Sequence, residues 1–286
     1  MANEPRATSD ERPAAYAADC HAHVFCPGRP YSPETVYRPD PSQAGTAAKF
    51  RDVLDAHGLT HGLLVGAGPY GPDNRCLLEA IAASGGRFRG IALVRSDVAD
   101  RELDALAGRG VVGIRINLFN HGLKPLVEPG AARLLARVKE MGWFVQIHCQ
   151  KDELAAAAPV LVKSGVRIMV DHFGRPDVKR GVAHLGFQAL LEFGRAGNAV
   201  IKLSGPFRSS GEDYPYRDVD PFIAAAIDAF TLKNCVWGSD WPFVRMDERM
   251  DYGPVYSCLA RWLPDEKDRR KVLWENPQRL FGFTQA

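Results

Sequence analysis

Short apolar segments recur along the chain, each rich in residues that favour β-strands. They are apolar almost throughout and do not alternate with polar residues, which is typical of parallel strands covered on both faces. The eight segments are residues 17–25, 60–66, 89–95, 111–117, 143–149, 167–173, 199–205 and 235–240. The pattern therefore predicts eight buried strands.

Amphipathic segments lie between these strands, with apolar residues at the intervals of three and four that indicate helices. The clearest are residues 47–58, 73–86, 130–142 and 220–230. A glycine precedes several predicted strands, where a helix commonly ends on glycine. These glycines are Gly58, Gly86, Gly110, Gly142 and Gly165. Eight strands alternating with helices predict an α/β protein of the (β/α)8 TIM-barrel class.

An open, doubly wound sheet is the main alternative for such an alternation. That fold carries a glycine-rich phosphate loop after its first strand. Here the position holds His21, Ala22 and His23, so we favour the barrel. A single barrel domain is predicted over residues 17–286. Residues 1–16, which are polar and include two prolines, are predicted to form a disordered tail.

Composition narrows the range of functions. The 286 residues are 46% hydrophobic and 24% charged, which is ordinary for a globular protein. The formal net charge of +2 gives no general attraction to nucleic acid or to membrane surfaces. We recognise neither a signal peptide nor an apolar run long enough to span a bilayer, so the sequence predicts a cytoplasmic protein.

The six cysteines are scattered through apolar segments, and none forms a C-x-x-C pair. Free cysteine is commonly a buried core residue, and cytosolic proteins keep their thiols reduced. We therefore expect reduced, buried thiols at Cys20, Cys26, Cys76, Cys149, Cys235 and Cys258.

Polar side chains concentrate at the carboxyl ends of the predicted strands, where the active sites of TIM barrels lie. The first strand ends with His21 and His23, which are two residues apart and so share one side of the strand. Two adjacent imidazoles suit a metal or an anionic substrate better than an apolar core, because each needs a hydrogen-bond partner. Other strand ends add Arg115, Asn117, His148, Asp171, His172, Lys202, Ser204 and Asp240.

The remaining histidines are weaker candidates for the site. His57 and His61 flank the start of the second strand, at the opposite end of a barrel, and His184 lies in a loop or helix. We interpret these three as ordinary polar residues. His121 follows the fourth strand, so it is placed to reach the site.

The strand ends resemble those of the amidohydrolase superfamily, and more closely its branch of lactone-hydrolysing enzymes. The similar motifs are residues 19–25, 171–177, 237–242 and 275–280, and the similarity extends over residues 18–283. The resemblance implies a hydrolase that opens a cyclic ester carrying carboxylate or other acidic groups. It also implies a place in the catabolism of aromatic compounds.

Residue roles follow from the resemblance by position. It implies that Asp240 activates the hydrolytic water. The catalytic histidines implied by position are His21, His23 and His172, and His148 is added to them as a candidate. The candidate substrate contacts are Tyr37, Arg115, Arg208, Asn117, His121 and Arg245. Branch members that open a dicarboxylate lactone have tyrosine, arginine and asparagine in place of His148, His121 and Arg245, so the substrate stays open.

The sequence does not decide between a site that binds a metal ion and a site that acts without one. Superfamily members that bind one divalent ion imply a zinc held by His21, His23, His148 and Asp240, with an open position for water. The lactone-opening branch, in contrast, implies action without a metal.

Other functions are kept as alternatives. One is non-oxidative decarboxylation of an aromatic or muconate-like acid, another is lactone isomerisation, and a third is a non-catalytic binding protein on the same scaffold. The expected partner is a small anionic lactone, with no nucleic acid and no membrane. The chain is either a monomer or a homo-oligomer.

Overall fold

Residues 16–285 are described by the structure, a computed structural model, and they form eight parallel strands. The strands pair in chain order around the sheet. They are β1 (Ala18–Ala22), β2 (His61–Val65), β3 (Phe88–Ala92), β4 (Val111–Asn117), β5 (Phe144–His148), β6 (Arg167–Val170), β7 (Ala199–Ser204) and β8 (Cys235–Gly238). Each overlaps one predicted segment, so the prediction of eight parallel strands is confirmed.

Hydrogen bonds between the ends of β1 and β8 close the sheet into a barrel. The Asp240 N–H donates to the His21 carbonyl over 2.8 Å, and the His23 N–H donates to the Trp241 carbonyl over 2.8 Å. These bonds lie just beyond the last residue of β8. Closure therefore joins the two strand ends that carry predicted catalytic residues. The chain is a (β/α)8 TIM barrel, and the doubly wound alternative is excluded.

Helices alternate with the strands around the outside of the barrel. They are α1 (Ala47–Ala56), α2 (Arg75–Ala82), α3 (Asp100–Ala107), α4 (Leu118–His121), α5 (Lys124–Val127), α6 (Ala131–Glu140), α7 (Glu153–Ser164), α8 (Leu185–Ala196), α9 (Asp220–Phe230), α10 (Tyr252–Trp262), α11 (Glu266–Arg270) and α12 (Asn276–Phe281). The five glycines expected before strands have φ between 65° and 90°. Glycine enters this region without a Cβ clash, so the predicted turns form as expected.

Two apolar clusters pack on the two faces of the sheet. The larger one lies between the strands and the helices. The second combines strand residues with side chains of the C-terminal segment, among them Trp274, Phe281 and Phe283. Its strand members precede the polar strand-end residues, so this cluster fills the barrel below them as a packed core. Polar chemistry is thereby confined to the carboxyl ends of the strands.

The three histidines interpreted as ordinary polar residues do not line the pocket at that end. The His61 ring packs 4.9 Å from the Trp274 ring, between centroids. His57 Nδ1 donates to the Val53 carbonyl over 2.9 Å. His184 accepts a backbone N–H at the start of α8. Each therefore has a structural partner that explains it.

Most of the predicted N-terminal tail lies outside the described residues, and Tyr16 is the exception. Its ring stacks on Trp274 with 5.0 Å between centroids. Tyr16 therefore packs on the barrel, which corrects the predicted tail by one residue. Within residues 16–285, no helix combines the length and the apolarity that a membrane span requires.

The prediction of six reduced thiols is wrong for one pair of cysteines. Cys26, in the segment after β1, and Cys76, in the first turn of α2, form a disulfide with their Cα atoms 5.8 Å apart. They are 50 residues apart in sequence, so no local spacing pattern pointed to the pair. The other cysteines are free and buried as predicted: Cys20, Cys149, Cys235 and Cys258.

Thiol counting tests this disulfide. The unfolded protein should expose four reactive thiols without a reductant and six after reduction. Cys76→Ser should lower the free energy of unfolding by about 2–4 kcal/mol, because the open chain gains conformational freedom in the unfolded state. Cys258→Ser is the control, since it leaves the disulfide intact. Six reactive thiols before reduction would contradict the assignment.

Candidate active site

The predicted site residues meet in one pocket at the carboxyl ends of the strands. Nine of the eleven candidates line it: His23, Tyr37, Arg115, Asn117, His148, His172, Arg208, Asp240 and Arg245. His21 is fully buried beside Asp240. Sequence reasoning missed further lining residues, which are Gly68, Phe119, Asn120, Arg175 and Val244. Arg175 lies in the motif of residues 171–177, so its place in that motif could have identified it as a candidate site residue.

Three imidazoles surround one carboxylate oxygen in this pocket. Asp240 Oδ1 lies 3.6 Å from His21 Nε2, 3.8 Å from His23 Nε2 and 3.8 Å from His172 Nε2. The two Nε2 atoms of His21 and His23 are 3.3 Å apart. All four side chains are buried. His21, His23, His172 and Asp240 therefore form one cluster at the carboxyl ends of the strands.

Hydrogen bonds at Nδ1 orient the rings of His23 and His172. His23 Nδ1 lies 2.9 Å from the Val65 carbonyl, which can only accept, so Nδ1 carries the proton and Nε2 has the lone pair. His172 Nδ1 lies 2.9 Å from the hydroxyl of Ser204. When Ser204 donates this bond, His172 Nε2–H faces the pocket as a donor.

Unusual backbone conformations help to place the cluster. His172 has φ 50° and Phe173 has φ 40°, directly after β6, and Asp240 has φ 66°. Such left-handed conformations cost non-glycine residues about 1–2 kcal/mol each. The Arg175 N–H bond to the His172 carbonyl, 2.8 Å long, stabilises the turn. Strained backbone of this kind is concentrated at functional sites.

A buried ion network lies beneath the imidazoles. Asp171 Oδ2 accepts from Arg115 Nε over 2.9 Å and from Gln146 Nε2 over 3.0 Å. Lys202 Nζ donates to Gln146 Oε1 over 2.7 Å and lies 3.2 Å from His21 Nδ1. Burial lowers the pKa of Lys202 to about 8, so at neutral pH it is mainly an ammonium. No role was predicted from the sequence for Asp171, Gln146 or Lys202.

Burial keeps the imidazoles neutral at neutral pH. It lowers the pKa of His23 to about 4 and lowers the pKa values of His21, His148 and His172 well below their ordinary value. Burial by itself would raise the pKa of Asp240. The Arg208 guanidinium opposes it most strongly, and the pKa of Asp240 falls below its ordinary range. The cluster therefore combines a charged carboxylate with uncharged rings.

Arginines form the outer wall of the pocket. Arg208 Nε bonds Asp240 Oδ2 over 2.7 Å. The Arg175 guanidinium lies 4.8 Å from the centre of the Phe119 ring, and Arg245 lies 5.1 Å from that of Tyr37. Arg175 Nε is buried without a hydrogen-bond partner in the described chain. Cations stacked on rings, with unused donors, suit a small anion.

Arg115 and Arg208 face the pocket and also form ion pairs. Arg115 pairs with Asp171, and Arg208 pairs with Asp240. Removing either arginine would leave a buried carboxylate without its main cation, which typically destabilises a protein by about 3–5 kcal/mol. Each arginine can form its ion pair and also contact a substrate, as predicted. Mutation of either arginine would therefore disturb the ion pair as well as substrate binding.

Two candidate histidines differ in their placement. His148 lines the pocket, its Nδ1 is buried without a partner in the described chain, and its Nε2 lies 3.4 Å from Arg175 Nη1. His121 is exposed at the end of α4 and lines the neighbouring cleft. This cleft shares Tyr37, Arg115 and Asn117 with the pocket, so contact of His121 with a substrate stays a prediction.

Potential metal ligands converge, but in a different set from the predicted one. His21, His23 and Asp240 offer ligand atoms within 4.8 Å of one another, as do His21, Asp171 and His172. His148 belongs to neither group. Both groups require a lone pair on His21. Lys202 Nζ lies 3.2 Å from His21 Nδ1, so the fit of an ion depends on which nitrogen of His21 carries the proton.

The chain belongs to the amidohydrolase family, whose model matches residues 18–283. The 2-pyrone-4,6-dicarboxylate hydrolase of Comamonas testosteroni is 32% identical over 279 residues, which cover 93% of this chain and 90% of that enzyme. The predicted resemblance to this superfamily is therefore confirmed.

Solved structures share the same barrel. A structure from Acinetobacter baumannii, described as a 2-pyrone-4,6-dicarboxylic acid hydrolase with citric acid bound, has a TM-score of 0.84 at 31% identity and covers 93% of this chain and 99% of its own. A zinc-bound amidohydrolase from Burkholderia multivorans has a TM-score of 0.78 at 18% identity, covering 94% and 100%. The second likeness shows the fold alone.

Gly205 tests how tightly His172 is held. Gly205 has φ +57°, and a Cβ there would lie 2.8 Å from His172 Nδ1. Gly205→Ala should reduce turnover on the order of 10²-fold, because it displaces a ring of the catalytic cluster. Turnover of the proposed lactone substrates and the melting temperature are to be measured together.

Gly197→Ala is the matched control. Gly197 has φ +78°, and a Cβ there would meet no atom within 4 Å. The two variants share a backbone penalty of about 1–2 kcal/mol, and only Gly205→Ala adds the close contact with His172. Equal turnover in both variants would contradict the tight placement of His172.

Proposed function

We propose that this protein hydrolyses a cyclic ester that carries carboxylate or other acidic groups. The observation that carries the proposal is the ionised, buried Asp240 among three neutral imidazoles, below a wall of arginines. A carboxylate in this setting can act as a base toward water, and the arginines can hold an anion beside it. The 32% identical relative is named as a hydrolase of a pyrone dicarboxylate, which is such an ester.

Asp240 is the general base of the proposed reaction. It accepts a proton from water, and the hydroxide attacks the lactone carbonyl carbon. The ring C–O bond then breaks, and protonated Asp240 returns its proton to the leaving oxygen. Its lowered pKa keeps the carboxylate ionised before each turnover.

Imidazoles stabilise the oxyanion as it forms. His23 Nε2 has only a lone pair, since its proton lies on Nδ1, so it cannot donate to the oxyanion. His172 can donate from Nε2 when Ser204 donates to Nδ1, and His148 has an unused ring nitrogen. Donors fixed in a buried site are effective because they need no reorganisation during the reaction.

Arginines bind the acidic groups of the substrate. Arg175 has an unpartnered donor, and Arg245 lies over Tyr37 without a carboxylate within 4.0 Å in the described chain. Guanidinium groups match the planar geometry of carboxylates. The related structure from A. baumannii was solved with citric acid, itself a small polyanion, bound. Tyr37 and Asn117 are further proposed contacts.

Asp240→Asn should lower kcat by about 10²–10⁴-fold, because the amide keeps the shape of the side chain but cannot accept the proton. Binding of the acidic lactone should be retained. Asp247→Asn, at an exposed position in the following segment, is the matched control. Hydrolysis is followed by the appearance of the open-chain acid.

The same assay separates the competing functions. Carbon dioxide as product would indicate decarboxylation, a shifted lactone would indicate isomerisation, and binding without turnover would indicate a binding protein. Full activity of the Asp240→Asn variant would overturn the assigned base, whatever the product.

Mutation of Arg245 tests whether the pocket binds an acidic group of the substrate, without lowering the stability of the fold. Arg245 is exposed and stacks on Tyr37, so Arg245→Met should leave the melting temperature nearly unchanged. The KM for an acidic lactone should rise about tenfold, equivalent to about 1.4 kcal/mol. Arg249→Met, which removes an exposed arginine paired with Asp251, is the control. An equal KM change for a neutral lactone would argue against a charge contact.

A further inference from the structure

Lys202 is a fully buried cation for which the proposed reaction has no use. It lies on β7, beneath the catalytic cluster. Its Nζ is 2.7 Å from Gln146 Oε1, 3.2 Å from His21 Nδ1 and 3.5 Å from Asp171 Oδ1. A buried ammonium is unfavourable unless it is paired and hydrogen-bonded, so these three contacts explain its stability there but not its purpose.

The position of Lys202 decides which nitrogen of His21 carries the proton. Two groups lie 3.2 Å from His21 Nδ1, the ammonium of Lys202 and the Oδ1 atom of Asp171. Asp171 Oδ1 lies 3.5 Å from the Lys202 ammonium and is not in hydrogen-bond geometry with the ring, so the ring does not donate to it. Lys202 is hydrogen-bonded to Nδ1, and an ammonium can only donate. Nδ1 therefore accepts, and Nε2 carries the proton.

The resulting chain of hydrogen bonds is complete. Lys202 donates to His21 Nδ1, His21 Nε2–H faces His23 Nε2 at 3.3 Å, and His23 Nδ1–H donates to the Val65 carbonyl at 2.9 Å. The opposite tautomer of His21 would place two lone pairs 3.3 Å apart. That arrangement is unfavourable unless a cation lies between them.

We propose that Lys202 is a positioning residue that fixes His21 in the Nε2–H tautomer and thereby excludes a divalent metal from the cluster. The ammonium supplies positive charge below the imidazoles and removes the lone pair with which His21 would bind an ion. Asp240 then activates water without a metal. The last consequence rests on the proposed function, whereas the tautomer and the metal affinity do not.

Zinc binding to the purified protein tests the exclusion. Isothermal titration with ZnCl₂ and the metal content after dialysis should show no stoichiometric zinc at the cluster of the wild-type protein. Lys202→Met, which is close in volume and lacks the donor, should bind one zinc per chain with an affinity about 10–100-fold higher. Lys202→Arg keeps a charged donor and should behave as wild type. Lys163→Met, at an exposed position of α7, is the matched control.

Wild-type protein provides a readout that does not depend on the folding of a variant. With ¹⁵N-labelled histidine, the two ring nitrogens of His21 are distinguished by their NMR shifts, and loss of the signal in His21→Gln assigns it. We expect a protonated Nε2 and an unprotonated Nδ1. A proton on Nδ1, or stoichiometric zinc in the wild type that removes the signal of a protonated Nε2, would overturn the proposal. If no lactone is turned over but the tautomer and zinc results hold, the proposed function fails and this inference stands.

Discussion

The Asp171 carboxylate, at the end of β6, accepts hydrogen bonds from Arg115 on β4 and Gln146 on β5, and all three side chains are buried. Through Gln146 it is connected to Lys202 on β7 and, through Lys202, to His21 on β1. Five strands of the barrel thus meet at one buried charge. A buried carboxylate needs such compensation, and removing one partner typically destabilises a protein by about 3–5 kcal/mol. The orientation of the catalytic rings depends on this network.

Barrel closure is the second constraint on the site. The backbone bonds that join β1 to β8 are formed by the residues that carry the chemistry, His21, His23 and Asp240. The same bonds that complete the fold therefore set the separation of base and imidazoles. Gly238 fits this junction because a Cβ there would lie 2.6 Å from the Cβ of His21. Stability and catalysis are coupled at this seam, and local changes will affect both.

Asp240 and the arginines determine the charge of the pocket. Arg208 lowers the pKa of Asp240 while it contributes positive charge to the pocket, so one contact prepares the base and favours an acidic ligand. The absence of a nearby carboxylate in the described chain leaves Arg245 available to a ligand. Neutral imidazoles between these charges avoid repulsion with the arginines. The pocket as a whole is complementary to a small polyanion.

The sequence by itself determined the eight strands, the barrel and the clustering of His21, His23, His172 and Asp240, because periodicity and strand-end position are local properties that the fold preserves. Only the tertiary structure decided the rest. It paired Cys26 with Cys76, placed His121 in the cleft beside the pocket and set Lys202 against His21. Such contacts join residues far apart in the chain, and their distances and hydrogen-bond directions follow from barrel closure, which no local pattern encodes. For this reason the sequence could not decide whether the cluster binds a divalent metal. The tautomer proposed for His21 predicts that it does not, and this prediction can be tested.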